Sequence, residues 1–234
     1  MSAGFDKLTT GKLSIVATPI GNLEDITLRA LRILKESDVV ACEDTRVTKK
    51  LLSHYDIHVP TVSFHANSGA KGFDKILKLL EDGKNVALVS DAGTPGVSDP
   101  GLELVSVVRE QLSDVKVETI PGASSLTAAL AVAGLRVPSF TFYGFLPQKK
   151  GRETLFKEIG ASDRASIFLE SPHRILKCLG SLTNVAPDRR VGLFRELTKM
   201  FEDHLIGTPQ ELLDILQKDT NKQRGEFVVI VEAE

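Results

Sequence analysis

Short apolar runs alternate with amphipathic segments through the first 133 residues of the chain. Apolar runs without polar alternation predict buried strands at 13–17, 39–42, 59–64, 86–89 and 115–120. Between them, apolar residues recur at helical spacing, as at Leu28, Leu31 and Leu34, and predict helices at 25–35, 45–52, 73–80, 99–112 and 124–133. Apolar strands that alternate with helices favour a mostly parallel sheet with helices on both faces.

The pattern changes between 134 and 146. Beyond this point strands are predicted at 140–145, 165–169, 191–196, 200–206 and 227–231, and helices at 152–159 and 174–179. The two strands at 191–196 and 200–206 follow each other closely, which indicates a hairpin. Thr208-Pro209-Gln210-Glu211 is a capping box that begins a further helix. The chain is therefore predicted to be α/β, with a mostly parallel sheet in a domain at 12–136 and a mixed sheet in a second domain at 137–234.

Composition excludes several classes of protein. Hydrophobic residues at 42% and charged residues at 26% are ordinary for a globular chain and exclude disorder. No apolar run approaches the roughly 20 residues of a membrane helix, and 1–10 lacks the apolar core of a signal peptide. Cys42 and Cys178 form no CxxC pair, so neither a disulfide framework nor a zinc site is indicated, and no metal is expected. These features fit a cytoplasmic protein without a membrane partner.

Four predicted strand-to-helix loops carry the candidate chemistry. They span 18–22, 43–46, 90–96 and 121–125, and three of them are rich in glycine, proline or small residues that let a backbone approach a ligand closely. Any one of them reads as an ordinary tight turn. Ligands of parallel sheets bind beyond the carboxyl ends of the strands, so four such loops on one edge predict a binding site there. The chain lacks GxGxxG, GxxxxGK[ST], GxSxG and HExxH, which disfavours dehydrogenases, P-loop ATPases, hydrolases and zincins.

Eight motifs occur in an order that identifies a family. They are TPIGNLEDIT at 18–27, ACEDTR at 41–46, VSDAGTPGVSDPG at 89–101, IPGASSLTAAL at 120–130, GFLPQK at 144–149, ESPHR at 170–174, RELTK at 195–199 and RGE at 224–226. Together they resemble the bacterial ribosomal RNA small-subunit methyltransferase I family, over nearly the whole chain. That family has the tetrapyrrole-methylase fold and methylates the ribose 2′-hydroxyl of a cytidine in the decoding region of 16S rRNA.

The resemblance implies S-adenosylmethionine bound in a cleft between two α/β domains, usually in a homodimer. The cofactor contacts that it implies are Pro19, Gly21, Asp91, Ala92, Gly93, Val97, Ser98, Gly122, Ala123, Ser124, Leu197, Thr198 and Gly225. A carboxylate such as Asp91 suits the ammonium of the methionine tail, and backbone N–H groups suit its carboxylate. Family members commonly carry a further helical segment at the C-terminus, and the sequence stops at Glu234 without it.

Methyl transfer to a ribose hydroxyl needs an aligned and deprotonated oxygen. Glu43 and Asp44 follow the second predicted strand, so either carboxylate is a candidate base, directly or through water, while Arg46 would anchor phosphate or the nucleotide. The alternative is an acid–arginine ion pair that caps the following helix. Lys199 is a lesser candidate base, which would need burial to lower its pKa.

The candidate RNA contacts lie in the second domain. They are Lys149, Lys150, Arg152, His173, Arg174 and Arg195. The net charge of the chain is −2, but the segment 146–199 holds eleven Lys and Arg against six Asp and Glu, a surplus compatible with docking on RNA. The resemblance implies that this RNA is 16S rRNA or the small ribosomal subunit. The alternative for these residues is a salt-bridged hairpin and a solvated helix start.

Two other functions stay open from the sequence. A corrin or porphyrin C-methyltransferase would use the same fold, although the basic residues of GFLPQKKGR and RELTK suit a polyanion better than a macrocycle. A non-catalytic RNA-binding or assembly factor would retain the fold without binding S-adenosylmethionine.

Overall fold

The structure is a computed structural model and describes residues 11–64 and 73–234. The chain divides into two compact units, the first ending at Ser124 and the second running over Ser125–Glu234. The segment 1–10, in which no signal peptide is predicted, lies outside the described residues.

The first unit is a parallel sheet with helices between its strands. Its strands are β1 (Lys12–Val16), β2 (Val39–Cys42), β3 (Thr61–Ser63), β4 (Asn85–Leu88) and β5 (Lys116–Ile120). Its helices are α1 (Leu28–Glu36), α2 (Thr45–His54), α3 (Asp74–Glu81) and α4 (Gly101–Gln111). The strand order is β3-β2-β4-β1-β5, and every pairing is parallel.

Parallel pairing places the carboxyl ends of the strands on one edge. Leu13 of β1 aligns with Val86 of β4 and Val117 of β5, so the residues that follow these three strands emerge side by side. The central strands β2 and β4 are largely apolar on both faces because each face of the sheet packs against helices. One face packs with α3 and α4 and the other with α1 and α2, in two separate clusters of buried side chains.

The second unit begins with α5 (Ser125–Val132) and contains a mixed sheet. Its strands are β6 (Phe140–Phe145), β7 (Ala165–Glu170), β8 (Val191–Arg195), β9 (Asp203–Gly207) and β10 (Phe227–Val231). Its other helices are α6 (Arg152–Ala161), α7 (Ile175–Val185) and α8 (Pro209–Lys218). In the order β6-β7-β10-β8-β9, β6 and β7 are parallel and the other pairs are antiparallel. The predicted parallel first sheet and mixed second sheet are confirmed.

The bounds of several elements differ from the predicted ones for local reasons. The helix predicted at 25–35 begins at Leu28, because the Thr27 hydroxyl accepts the N–H of Ala30 and a 3₁₀ turn over Leu23–Asp25 precedes it. The helix predicted at 174–179 continues to Val185. The predicted capping box is present, with Thr208 and Glu211 bonded reciprocally and Pro209 at the first helical position.

The division between the units lies earlier than the predicted boundary at 136. The helix α5 falls in the second unit, where it packs against β10. The segment after it is also tied there, since the N–H of Ala233 donates to the carbonyl of Arg136 at 3.1 Å.

The hairpin predicted from 191–196 and 200–206 is present, with a wider connection. β8 ends at Arg195 and β9 begins at Asp203, so residues 196–202 form a loop instead of a tight turn. This stretch is called the 196–202 loop below.

Candidate functional site

The loop after β1 and the loop after β4 are joined in the first unit. The N–H of Thr18 donates to the carbonyl of Gly93 at 2.9 Å, and the N–H of Gly93 donates back to Thr18 at 3.1 Å. The Thr18 hydroxyl also donates to the carbonyl of Ser90 at 3.2 Å. Gly93 has a φ of +84°, and a Cβ there would lie 3.2 Å from Cγ2 of Ile20. The predicted ligand residues 19–21 and 91–93 therefore adjoin each other.

A cavity of about 370 Å³ opens between these two loops and α2. Its walls include residues predicted as ligand contacts, namely Pro19, Gly21, Asp91 and Ala92. The volume falls within the range of small-molecule sites, about 300–1,000 Å³. The first unit thus has a cavity at the carboxyl edge of its sheet, where the sequence predicts a binding site.

One wall of this cavity was missed by the sequence analysis. It is formed by four residues of α2: Val47, Thr48, Lys50 and Leu51. The sequence shows only that Val47 and Leu51 are apolar and four residues apart, and the structure adds that Val47 is 40% exposed. Single exposed apolar side chains are common on protein surfaces, so the sequence alone does not identify this wall.

The loop after β5 contacts the loop after β4. The Thr94 hydroxyl donates to the carbonyl of Ala123 at 3.1 Å. A Cβ on Gly122 would lie 3.0 Å from the Cβ of Ala17, so the absence of a side chain lets this loop approach β1 closely. The predicted contacts Gly122, Ala123 and Ser124 therefore follow the same edge as residues 91–93.

Val97 and Ser98 lie in a turn before α4. The Asp99 carboxylate accepts the N–H groups of Gly96 at 2.8 Å and Gly101 at 2.7 Å, which fixes the turn. Ser98 adopts a φ of +67°, an uncommon conformation for a residue with a side chain. Val97 is 40% exposed, which leaves it open to a ligand.

Asp44 caps α2 and pairs with Arg46. Its carboxylate accepts the backbone N–H of Arg46 at 2.8 Å, and its second oxygen lies 2.6 Å from Nη2 of the same residue. The side-chain hydrogen bond from Arg46 is the main cause that lowers the pKa of Asp44 to about 2. The helix-capping ion pair, the alternative recognised in the sequence, is therefore the arrangement observed for Asp44, whose basicity is low.

Glu43 has no cation among the causes of its pKa shift, in contrast to Asp44, which is paired with Arg46. Burial raises the pKa of Glu43, and the negative charges of Asp99 and Asp91 raise it further. The same loop touches the ligand loop, since the N–H of Asp44 donates to Oδ1 of Asp91 at 3.3 Å. Of the two neighbouring carboxylates, Glu43 is the stronger proton acceptor.

Three predicted cofactor contacts lie in the second unit, beside the start of β10. Leu197 is buried, Thr198 has a φ of +64°, and Gly225 has a φ of +89°. The segments that carry them are bonded to each other, because the N–H of Glu196 donates to the carbonyl of Glu226 at 3.0 Å. The three residues are thus on adjoining backbone segments.

Lys199, the lesser candidate base, is held between two carboxylates. Its Nζ lies 2.9 Å from Glu196 and 3.0 Å from Glu226. Burial alone would lower the pKa of Lys199, but the hydrogen bonds to these two carboxylates outweigh it and the pKa is raised. A lysine in this environment keeps its proton.

The predicted RNA contacts divide by exposure. Lys149, Lys150 and His173 are exposed on the second unit. Arg195 is mostly covered, and its Nη1 donates to the carbonyl of Arg224 at 3.2 Å.

Arg152 and Arg174 belong to a buried cluster around Glu170. Arg152 is 5% exposed, and its Nη2 lies 2.6 Å from Oε2 of Glu170. Arg174 lies 2.7 Å from the other oxygen. Nη1 of Arg152 donates to the carbonyl of Pro147, and Nη1 of Arg174 donates to the carbonyl of Leu146, both at 3.1 Å. Arg152 therefore holds the loop before α6, and its burial does not favour a contact with RNA.

Both cysteines are free and buried. In the described parts of the chain, no group of three or more His, Cys, Asp or Glu is arranged to hold a metal ion. Across 11–64 and 73–234, none of the helices has the length and apolar character needed to cross a membrane.

Comparison with known proteins gives the family. A model of the tetrapyrrole (corrin/porphyrin) methylases matches residues 12–213. A protein of Halalkalibacterium halodurans named ribosomal RNA small subunit methyltransferase I is 46% identical over 95% of this chain and 76% of its own length. A protein of Thermotoga maritima with the same name is 43% identical over 94% of this chain and 98% of its own length.

Solved structures agree on the fold. The methyltransferase CobJ superposes with a TM-score of 0.70 at 17% identity and covers 96% of this chain and 95% of its own. Uroporphyrin-III C-methyl transferase of Thermus thermophilus, complexed with S-adenyl homocysteine, gives a TM-score of 0.63 at 20% identity over 95% and 97% of the two chains. From the extent of the family match and the identity to its relatives, the chain belongs to the tetrapyrrole methylase family, in the group named ribosomal RNA small subunit methyltransferase I.

Proposed function

We propose that this protein transfers a methyl group from S-adenosylmethionine to the ribose 2′-hydroxyl of a cytidine in the decoding region of 16S rRNA. The observation that carries the proposal is the 46% identity, over 95% of the chain, to a relative named ribosomal RNA small subunit methyltransferase I. The cavity and the Gly-rich loops at the carboxyl edge of the first sheet support a ligand site of the required kind.

The loops fit the chemistry of the cofactor. Gly93 and Gly122 carry no side chain at points where a Cβ would crowd Ile20 or Ala17, which lets these loops pack closely against residues 17–20 at the edge of the cavity. The Asp91 carboxylate suits the ammonium of the methionine tail, and one solved neighbour is described with the corresponding homocysteine product. We also propose that Leu197, Thr198 and Gly225 of the second unit contact the cofactor.

In methyl transfer the cofactor supplies an activated methyl group, and the protein's residues align the acceptor, remove its proton and exclude water. We propose Glu43 as the base. Its raised pKa, caused first by burial, makes it the better acceptor of the hydroxyl proton. Asp44 then holds α2 and Arg46 in place, and the guanidinium of Arg46, 87% exposed, is within reach of a phosphate or nucleotide.

The RNA-contacting surface of this proposal is on the second unit. Lys149, Lys150 and His173 are exposed, and the clamp of Arg152 and Arg174 on Glu170 holds the loop that carries the two lysines. The surplus of positive charge over 146–199 favours a polyanion such as the small ribosomal subunit. We also propose a cytoplasmic homodimer, in which two such surfaces would add avidity.

The proposal is tested by mapping the product. Naked small-subunit RNA and stripped small subunits are incubated with the protein and methyl-labelled S-adenosylmethionine, digested to nucleosides and analysed by mass spectrometry. The expected product is labelled 2′-O-methylcytidine from the decoding region. Absence of ribose methylation on both substrates would refute the proposal.

The two alternatives give different results in parallel assays. Methylation of uroporphyrinogen III would favour a corrin or porphyrin C-methyltransferase, the activity named in a solved neighbour. Absence of S-adenosylmethionine binding in calorimetry would favour a non-catalytic RNA-binding factor.

A further inference from the structure

The 196–202 loop has an uncommon backbone. Glu196 has a φ of +50° and Thr198 a φ of +64°, and facing them Gly225 has a φ of +89°. Non-glycine residues avoid this region because the Cβ approaches the backbone, and they persist there only where their surroundings hold them. The contacts around this loop should therefore reveal what holds it.

Lys199 is at the centre of those contacts. Its ammonium donates to Oε1 of Glu196 at 2.9 Å and to Oε2 of Glu226 at 3.0 Å. Oε1 of Glu196 also accepts the backbone N–H of Glu226 at 3.0 Å, and the N–H of Glu196 donates to the carbonyl of Glu226 at 3.0 Å. One lysine thus ties the loop to the segment that leads into β10.

Packing restrains the same contact. A Cβ on Gly225 would lie 2.4 Å from Cγ of Glu196, so the glutamate stem rests directly on the glycine. At the far end of the loop the N–H of Thr198 donates to Oε2 of Glu202 at 2.5 Å. Both left-handed residues are therefore fixed by side chains of the second unit.

Two polar atoms of this segment are buried without a partner. Among the described residues, neither Nε of Arg195 nor Oγ1 of Thr198 makes a hydrogen bond. Buried polar groups are normally paired, so each exception calls for a partner such as a bound ligand or an ordered water. The segment is thus tied down by side-chain contacts and still has hydrogen-bonding capacity that the described residues leave unused.

We infer that Lys199 is a positioning residue, which clamps Glu196 and Glu226 so that the backbone at 197–198 and 225 is preorganised to bind S-adenosylmethionine. The inference rests on the proposed function. In this role Lys199 does not act as a base, because an ammonium held between two carboxylates keeps its proton.

The experiment measures binding of S-adenosylhomocysteine to the full chain by calorimetry. Lys199→Met removes the charge and keeps most of the stem. Lys222→Met is the matched control, because Lys222 pairs with Asp203 at 2.7 Å in the same unit and both lysine side chains are 31% exposed. Lys199→Arg retains the charge, and Glu226→Gln weakens the clamp from a side chain that is 80% exposed.

Lys199→Met is expected to raise the Kd about tenfold, which corresponds to a binding-competent population of about one tenth. Glu226→Gln and Lys199→Arg are each expected to raise the Kd about threefold, and Lys222→Met is expected to change it less than about twofold. In methyl transfer, Lys199→Met should raise the KM for S-adenosylmethionine and leave both kcat and the KM for RNA within about twofold.

Equal Kd values for Lys199→Met and Lys222→Met would overturn the inference and leave the proposed function standing. A large fall in kcat with an unchanged Kd would also overturn the inference, because it would indicate that Lys199 takes part in proton transfer. If the unmodified protein does not bind S-adenosylhomocysteine, the proposed function fails and the inference fails with it.

Discussion

Glu170→Gln tests whether the buried ion-pair cluster holds the second unit together. The carboxylate is 1% exposed and accepts three donors, Nη2 of Arg152 at 2.6 Å, Nε of Arg174 at 2.7 Å and the N–H of Ser171 at 2.9 Å. Glutamine has nearly the same shape but no charge, so the substitution leaves the Arg152 guanidinium buried without a counter-ion.

The expected loss follows from burial. Removing one partner of a buried ion pair costs about 3–5 kcal/mol, because the remaining charge stays desolvated. The other described contacts of Arg152 are the carbonyl of Pro147 and the ring of Phe156, whose centroid lies 5.0 Å from the guanidinium carbon, and neither carries a negative charge. For a unit of this size, a loss of that order lowers the Tm by roughly 10–20 °C.

The assay is urea denaturation followed by circular dichroism, with Glu36→Gln as the matched control. Glu36 pairs with Arg32 at 3.0 Å on α1, and both side chains are 57% exposed, so its loss should cost less than about 0.5 kcal/mol. Hydrogen exchange at 148–152 should also accelerate in Glu170→Gln, since the clamped carbonyls of the preceding loop are released. Equal free energies of unfolding for the two variants would refute the reasoning.

Glu43→Gln should lower kcat about 10²–10³-fold by removing the base, and it should flatten the fall of kcat that the unmodified enzyme shows as the pH drops through the raised pKa of Glu43. Asp44→Asn should reduce kcat less, and the opposite ranking in single-turnover assays would reassign the base. Lys149→Glu combined with Lys150→Glu should raise the KM for RNA and make its salt dependence shallower by about 1.5 in the log–log slope, while an unchanged slope would place the RNA elsewhere. Thr208→Ala should cost about 1 kcal/mol of unfolding free energy through loss of the capping box, and a loss below about 0.3 kcal/mol in the same urea assay would contradict that reading.

Features set by local chemistry were predicted well. The capping box at 208–211 is an arrangement of four neighbouring residues. The buried strands of the parallel sheet were predicted from continuous apolar runs, which are typical of strands covered on both faces. The adjoining ligand loops were also predictable, because parallel strands bring their carboxyl ends to one edge whatever the details of packing.

Features that depend on contacts between residues distant in the sequence were not predicted. The tight hairpin predicted after 196 is a longer loop because Glu196 is bonded to Glu226, thirty residues away. Arg152 has the composition of an RNA contact, and only the fold brings it beside Glu170. Glu43 and Asp44 are neighbours with the same chemistry, and their opposite pKa shifts depend on burial and on Arg46.

The position of β10 bears on how the protein is made. It follows every other strand of its sheet in sequence, yet lies third of five, with Val229 between Phe168 of β7 and Leu193 of β8. During synthesis, β7 and β8 each have one edge without a hydrogen-bonded neighbour until β10 is available. The first sheet can close as soon as β5 is available, so the first unit is expected to fold while the ribosome still holds the second. A protein proposed to modify small subunits would then complete its own second sheet only after the ribosome has released β10.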